Sequence, residues 1–190
     1  MGDVIPYPRG MTTTAPPPSD PAPGTPDTAP RIRVASPGDR TQVLAVRSRA
    51  IEESTALWTS VTPSPEASDA WFAAHLDAGS MIVAVDGDTV LGYACWSPLR
   101  SYDGYALTAE NSVYLTEAAQ GRGLGRALLE RLISLAADQG VHSMVALIES
   151  GNEASIRLHE RCGFAHAGGL REAGRKFDRW LDLTVMQRML

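Results

Sequence analysis

The sequence predicts a mixed α/β domain built on one central sheet, and three observations carry that reading. Two apolar runs, Met81 to Val85 and Val90 to Trp96, are joined by the hairpin signal Asp86-Gly87-Asp88. Leu124, Leu128, Leu132 and Leu135 recur at three- and four-residue steps, which is the apolar stripe of an amphipathic helix. Between these segments a strand-like stretch ends in a glycine-rich turn that leads straight into that helix. With 190 residues, 44% of them hydrophobic, the chain is long enough for one domain with a sizeable core and some tail.

The elements follow in order. Residues 1–30 hold nine of the thirteen prolines, spaced by Thr, Ala, Asp and Gly, and are expected to form a disordered tail, because so little apolar surface cannot offset ordering entropy. The folded domain is then residues 31–190. Arg31 to Ala35 reads as a short strand, and Ser36-Pro37-Gly38-Asp39 turns the chain. Asp39 is expected to cap a helix that carries Val43, Leu44, Val46, Ala50 and Ile51. Glu66 to Leu76 reads as a second helix, Pro98 to Gly104 as a loop and Ala109 to Leu115 as a strand. Gly140 stops the leucine-striped helix, and Ser143 to Ile148 is the next strand. Asn152 caps a short helix to Arg161, which Gly163 ends. Phe164 onward and Trp180 to Gln187 close the sheet.

Composition excludes several function classes. The longest unbroken apolar run, Met81 to Val85, is far short of the ~20 residues that cross a bilayer. No basic stretch followed by an apolar segment opens the chain, which argues against secretion and for the cytoplasm. A net charge of −5 with no Lys/Arg run argues against nucleic-acid binding. Cys95 and Cys162 make neither a disulfide framework nor a zinc site, and His75, His142 and His166 have no partners at metal-ligand spacing, so no metal is expected. Cys162 reads as a structural thiol, and Phe177 and Trp180 as core or dimer contacts.

The most informative segment is Gln120-Gly121-Arg122-Gly123-Leu124-Gly125-Arg126. Glycines let backbone amides approach a ligand closely, and a helix N-terminus adds positive potential, so the pair makes a phosphate or pyrophosphate site. Arg122 and Arg126 add charge. A phosphate loop of the Gly-Lys-Ser/Thr type does not fit, because Arg126-Ala127 follows Gly125. A dinucleotide fingerprint needs G-x-G-x-x-G early in a strand-helix-strand unit, whereas the spacing here is G-x-G-x-G in mid-chain.

The pattern Gln-x-x-Gly-x-Gly after a strand, then an amphipathic helix, a strand, an Asn-capped helix and Gly163-Phe164, resembles the Gcn5-related N-acetyltransferase superfamily. Glu110-Asn-Ser-Val-Tyr-Leu, Asn152-Glu-Ala-Ser-Ile-Arg-Leu-His-Glu-Arg-Cys-Gly-Phe and Gly174-Arg-Lys-Phe-Asp-Arg-Trp-Leu-Asp look like its phosphinothricin and methionine sulfone/sulfoximine branch, as do Ser54-Thr55 and Trp71. The resemblance implies a mostly antiparallel sheet with a V-shaped splay between two parallel strands, flanked by helices. It implies acetyl-CoA as co-substrate, with its pyrophosphate on the amides of Gln120 to Gly125. The pantetheine arm would lie between Val113-Tyr114-Leu115 and Ile148, with Asn152 and Ser155 nearby. It further implies a homodimer and a small amine as the acceptor.

Within that reading Glu110 is the expected base, since alternation puts Glu110, Ser112 and Tyr114 on one strand face. An ammonium has no free electron pair, so acetyl transfer needs its proton removed. His159 is the expected acid for the leaving thiolate, and a backbone amide near Leu115 the expected oxyanion donor. Thr55, Arg100, Tyr102, Tyr105 and Lys176 are the expected substrate contacts. The branch usually carries two basic residues, one apart, before an Ala-Tyr element. Here Arg100 keeps the first, Tyr102 replaces the second and Gly104 replaces the alanine. Two other readings stay open: transfer to a protein N-terminus or a polyamine, and a non-catalytic sensor of acyl-CoA.

Overall fold

The computed structural model describes residues 29–190. The proline-rich stretch expected to be a disordered tail, residues 1–30, lies outside the described residues except for its last two positions. Seven strands form one sheet: β1 (Arg31–Val34), β2 (Met81–Asp86), β3 (Thr89–Pro98), β4 (Thr108–Leu115), β5 (Ser143–Glu149), β6 (Ala165–Lys176) and β7 (Arg179–Met189). Their spatial order is β1-β2-β3-β4-β5-β7-β6, and every neighbouring pair is antiparallel except β4 and β5. Helices α1 (Arg40–Glu53) and α2 (Pro65–Asp77) lie on one side of the sheet, and α3 (Leu124–Asp138) and α4 (Glu153–Arg161) on the other. Among the described residues no helix is long and apolar enough to cross a membrane.

Strand alternation builds both cores. Met81, Val83, Val85, Tyr93 and Cys95 pack with Val43, Val46 and Phe72 under α1 and α2. Ile82, Ala84 and Ala94 point the other way, onto Leu124, Leu128 and Leu132 of α3. Leu128 and Leu132 are fully buried, as the leucine stripe predicts, and Leu129 is buried with them.

Two expectations about the fold are corrected. Asp39 makes no side-chain cap to α1. Its carboxylate instead takes the Arg33 guanidinium at 2.6 and 2.7 Å and the Ser36 amide at 2.7 Å, so it fastens β1 to the turn before the helix. Those bonds hold its pKa below the usual carboxylate range. Phe177 and Trp180 are not core: they are 52% and 62% exposed, beside the β6–β7 turn.

Candidate active site

The one parallel strand pair sets the geometry. β4 and β5 are paired only at Thr108, Ala109 and Glu110, opposite Ser143, Met144 and Val145. Beyond that point β4 runs on to Leu115 beside β3, and β5 runs on to Glu149 beside β7, with no further pairing to each other. A V-shaped gap opens there, with Glu110 at its apex.

Glu110, Ser112 and Tyr114 share the α1/α2 face of β4, as alternation predicts, and line a cavity of about 80 Å³. Arg47 of α1, Trp71 and His75 of α2, and Tyr93 and Cys95 of β3 close it. Burial raises the Glu110 pKa above the ordinary carboxylate value, and among the described residues no cation or hydrogen bond offsets that. Burial also pushes the Cys95 thiol up to about 12 and raises both tyrosines, so these walls stay neutral at pH 7. His75 is held neutral by burial and by the nearby Arg47, and its Nδ1 lies 2.7 Å from Ser80 Oγ. The cavity therefore has one anionic group, Glu110, and one cationic group, Arg47, whose Cζ sits 4.5 Å from the Trp71 ring centroid.

The opposite face of β4 is a tether. Asn111 is buried, and its Nδ2 donates to Val145 O at 3.0 Å, crossing from β4 to β5 where the ladder ends. Its Oδ1 lies 3.0 Å from His159 Nε2, and His159 Nδ1 lies 2.8 Å from Ser155 O. Both contacts are with acceptor oxygens, so a neutral imidazole, with one N–H, donates to one of them at a time and only the imidazolium donates to both. Burial holds its pKa below the ordinary histidine value, and the Ser155 carbonyl pulls it part of the way back. His159 and Glu110 stand on opposite faces of the sheet, so the structure does not bring the two expected catalytic side chains together.

The glycine turn has the form expected of an anion cradle. Gly121 and Gly123 have φ of 71° and 78°, left-handed values that favour glycine. Gly123 is the N-cap of α3 and no side chain caps that end, so the first-turn amides are open to a ligand. Gln120, Arg122 and Arg126 are exposed around it, with Arg126 Nε bonded to Glu130 at 2.7 Å, while Leu124 is part of the core. Gly125 faces Leu115 and Leu158, which packs the helix start against the V. Val113 and Leu115 lie on the α3/α4 face, away from Tyr114. Ile148 is buried on the β5 arm, and Asn152 caps α4 through the Ser155 amide at 3.0 Å.

The expected substrate contacts divide. Thr55 Oγ1 lies 3.3 Å from Glu149 Oε2 at the open end of β5. Arg100, Tyr102 and Tyr105 are exposed on the loop between β3 and β4, outside the Glu110 cavity. Lys176 is not a free cation facing a substrate. It is 2% exposed, and its Nζ donates to Ser54 O at 2.6 Å, to Leu57 O at 2.7 Å and to Ile51 O, so all three N–H bonds are used. It ties the end of α1 and the following loop to β6. Arg47 and Tyr93 carry no sequence motif, and Asn111 stands in the Glu110-Asn-Ser-Val-Tyr-Leu motif without a role of its own. The only signals for them were a basic residue in an otherwise core-facing helix, and polar residues in strands with buried neighbours.

The structure thus brings a desolvated carboxylate to the apex of an opened parallel strand pair whose β4 arm runs on toward a glycine-led helix N-terminus. The chain belongs to the acetyltransferase (GNAT) family, whose model matches residues 47–164. It is 44% identical to the L-methionine sulfoximine/L-methionine sulfone acetyltransferase of Pseudomonas aeruginosa, over 82% of this chain and 92% of that protein. It is 37% identical to the phosphinothricin N-acetyltransferase of Alcaligenes faecalis, over 84% of this chain and 82% of that one. An acetyltransferase structure from Salmonella typhimurium with its cofactor acetyl-CoA superposes with a TM-score of 0.82 at 42% identity, covering 85% of this chain and 94% of that one.

Proposed function

We propose that this chain is an N-acetyltransferase that moves the acetyl group of acetyl-CoA to the amino group of a small amino-acid-like acceptor, of the methionine sulfone/sulfoximine or phosphinothricin type. The observation that carries this reading is Glu110, a buried carboxylate with neither an ion pair nor a hydrogen bond among the described residues, facing a cavity at the apex of the V. Raised by burial, it is a stronger base than an exposed glutamate. It takes the amine's proton, directly or through one water. The nitrogen lone pair then attacks the thioester carbon, an N–C bond forms and the C–S bond breaks, with no acyl-enzyme.

The open amides from Gln120 to Gly125 and the arginines Arg122 and Arg126 suit the pyrophosphate. The gap between Val113-Tyr114-Leu115 and Ile148 suits the pantetheine arm, with Asn152 and Ser155 at its far wall. A backbone amide near Leu115 serves as oxyanion donor. The leaving thiol has a pKa near ~8.5, so it departs as thiolate with little need of an acid. His159 then serves through its grip on Asn111, and proton delivery from it is the secondary role. Arg100, Tyr102 and Tyr105, exposed on the loop before β4, and Thr55, at the open end of β5, are the proposed substrate contacts. A homodimer belongs to the proposal, supported by the exposed edge strand β6 and by Leu170 and Trp180 at 59% and 62% exposure. So does the cytoplasm, where the free thiols Cys95 and Cys162 stay reduced.

The test is CoA release, read with a thiol reagent, over methionine sulfone, methionine sulfoximine, phosphinothricin, plain amino acids, a polyamine and a short peptide. Turnover on the first three is expected. Turnover confined to the polyamine or the peptide refutes the acceptor class. Silence on every amine while acetyl-CoA still binds refutes the enzyme and leaves a sensor.

A further inference from the structure

The Glu110 cavity is polarised in a way that acetyl transfer alone does not require. Base chemistry needs the carboxylate at one end. It does not need a guanidinium at the other, and Arg47 is there without an ion-pair or hydrogen-bond partner among the described residues. Its contact is with the Trp71 ring, 4.5 Å from Cζ to ring centroid, and such a contact does not use up the guanidinium's N–H donors. A second donor points into the same space. Tyr93 is fully buried, its ring packs against Trp71 and Tyr114 on the cavity side, and its hydroxyl has no partner. A buried hydroxyl left unpaired is costly, so the site is built to receive an acceptor atom.

We infer that the Arg47 end of this cavity is the acceptor's carboxylate subsite. An α-amino acid in its zwitterionic form carries its ammonium and carboxylate on one carbon, and the cavity offers an anion and a cation across about 80 Å³. The ammonium meets Glu110, which then takes its proton. The carboxylate meets the Arg47 guanidinium in a charge-assisted pair, with the Tyr93 hydroxyl as a further donor. Trp71 and Tyr114 form the apolar sides. This sets the substrate class as amino acids with a free carboxylate, and it excludes peptide N-termini and polyamines, which leave Arg47 unpaired in the site. The inference rests on the acetyl-transfer reading above.

The experiment compares three acceptors: methionine sulfone, its carboxamide, and the carboxylate-free 3-(methylsulfonyl)propylamine. The wild-type chain is expected to prefer the acid over both others by about 10- to 100-fold in kcat/KM, the range for a hydrogen bond to a charged group. Arg47→Met is expected to lose that factor on the acid, mostly through KM, with a loss at least tenfold smaller on the two uncharged acceptors. Arg47→Lys should recover part of the preference. Equal losses on all three acceptors, or a wild type without preference for the acid, overturn the inference while acetyl transfer stands. If no amine is turned over, the acetyl-transfer reading itself fails. Calorimetry with N-acetyl methionine sulfone and its carboxamide then decides Arg47: selective binding of the acid that Arg47→Met abolishes supports the subsite, and equal or absent binding overturns it. Should Arg47→Met not fold, the wild-type ratio of acid to carboxamide still decides.

Discussion

Replacing Glu110 with Gln tests the site with little structural disturbance. The side chains are nearly isosteric, and among the described residues Glu110 makes no hydrogen bond or salt bridge for the change to break. General-base catalysis contributes about 10²–10⁴-fold, so kcat/KM for the amine at pH 7 is expected to fall by that order. Two details separate this from a general loss of activity. First, an α-amino group titrates near ~8 in peptides and higher in free amino acids, so raising the pH supplies neutral amine from solution and should recover much of the activity of Glu110→Gln. The wild type should instead lose activity as pH falls through the raised Glu110 pKa, an acidic limb that the variant lacks. Secondly, the sign of the stability change is opposite to that of the activity change. A carboxyl whose folded pKa is raised contributes its stability below its unfolded value of 4.5 and loses it as pH rises through the folded pKa. In its charged form Glu110 is therefore a burden on the fold, and Glu110→Gln should melt at the same temperature or higher. The assays are CoA release from pH 5 to 9.5 and thermal denaturation at pH 7. A loss of less than about threefold, or an acidic limb shared by both proteins, refutes Glu110 as the base.

Three other perturbations follow from the same structure. Asn111→Leu removes the bond to Val145 O and leaves His159 Nε2 without its partner, so stability should fall by about 2–4 kcal/mol and the KM for acetyl-CoA should rise as the V loses its tether; denaturant melts and acetyl-CoA saturation curves check both. Lys176→Met strips the ammonium from three carbonyls at the end of α1, which should cost about 3–5 kcal/mol and lower Tm by about 10 °C, read by calorimetry. His75 and His159 both have folded pKa values held below 6.5, so their contribution is complete above that pH and is lost as pH falls below it; the urea midpoint should drop between pH 7.5 and 5.5, and His75→Gln should flatten that drop.

How far the sequence could be read depended on the range of the interactions. The β2–β3 hairpin, the α3 stripe and the Asn152 cap are local, and the residues that make them stand within one turn or one strand. Glu110 was legible for the same reason: period two put it on the face with Ser112 and Tyr114. Asn111 was not, because its partners lie 34 and 48 residues further along the chain. Lys176 was misread as a substrate contact because a lysine in a motif reads as a free charge. Its three carbonyls come from the end of α1 and the loop after it, more than a hundred residues earlier. Arg47 was not legible, because the ring it rests on, Trp71, belongs to a different helix. The β6–β7 turn lacked its usual Asn-Gly signature, since Phe177 and Asp178 adopt φ of 49° and 56° without a glycine.

β4 assigns opposite tasks to alternate residues, which lets a single strand hold both the proposed base and the scaffold. Parallel pairing to β5 must stop for a gap to open, yet an untethered strand end would let the gap vary in width. Asn111 resolves the conflict by replacing the next ladder bond with a side-chain bond to Val145 O, and α4 locks that side chain through His159. With the far face committed to holding the strand, the near face is free to place Glu110 in a pocket whose walls are neutral and whose only cation is Arg47. An exposed glutamate at the same strand position would be a weaker base, and a glutamate paired to Arg47 weaker still, because a cation stabilises the carboxylate and lowers its pKa. Leaving Glu110 and Arg47 unpaired in one cavity keeps the base strong and reserves the cation for a ligand that carries both charges.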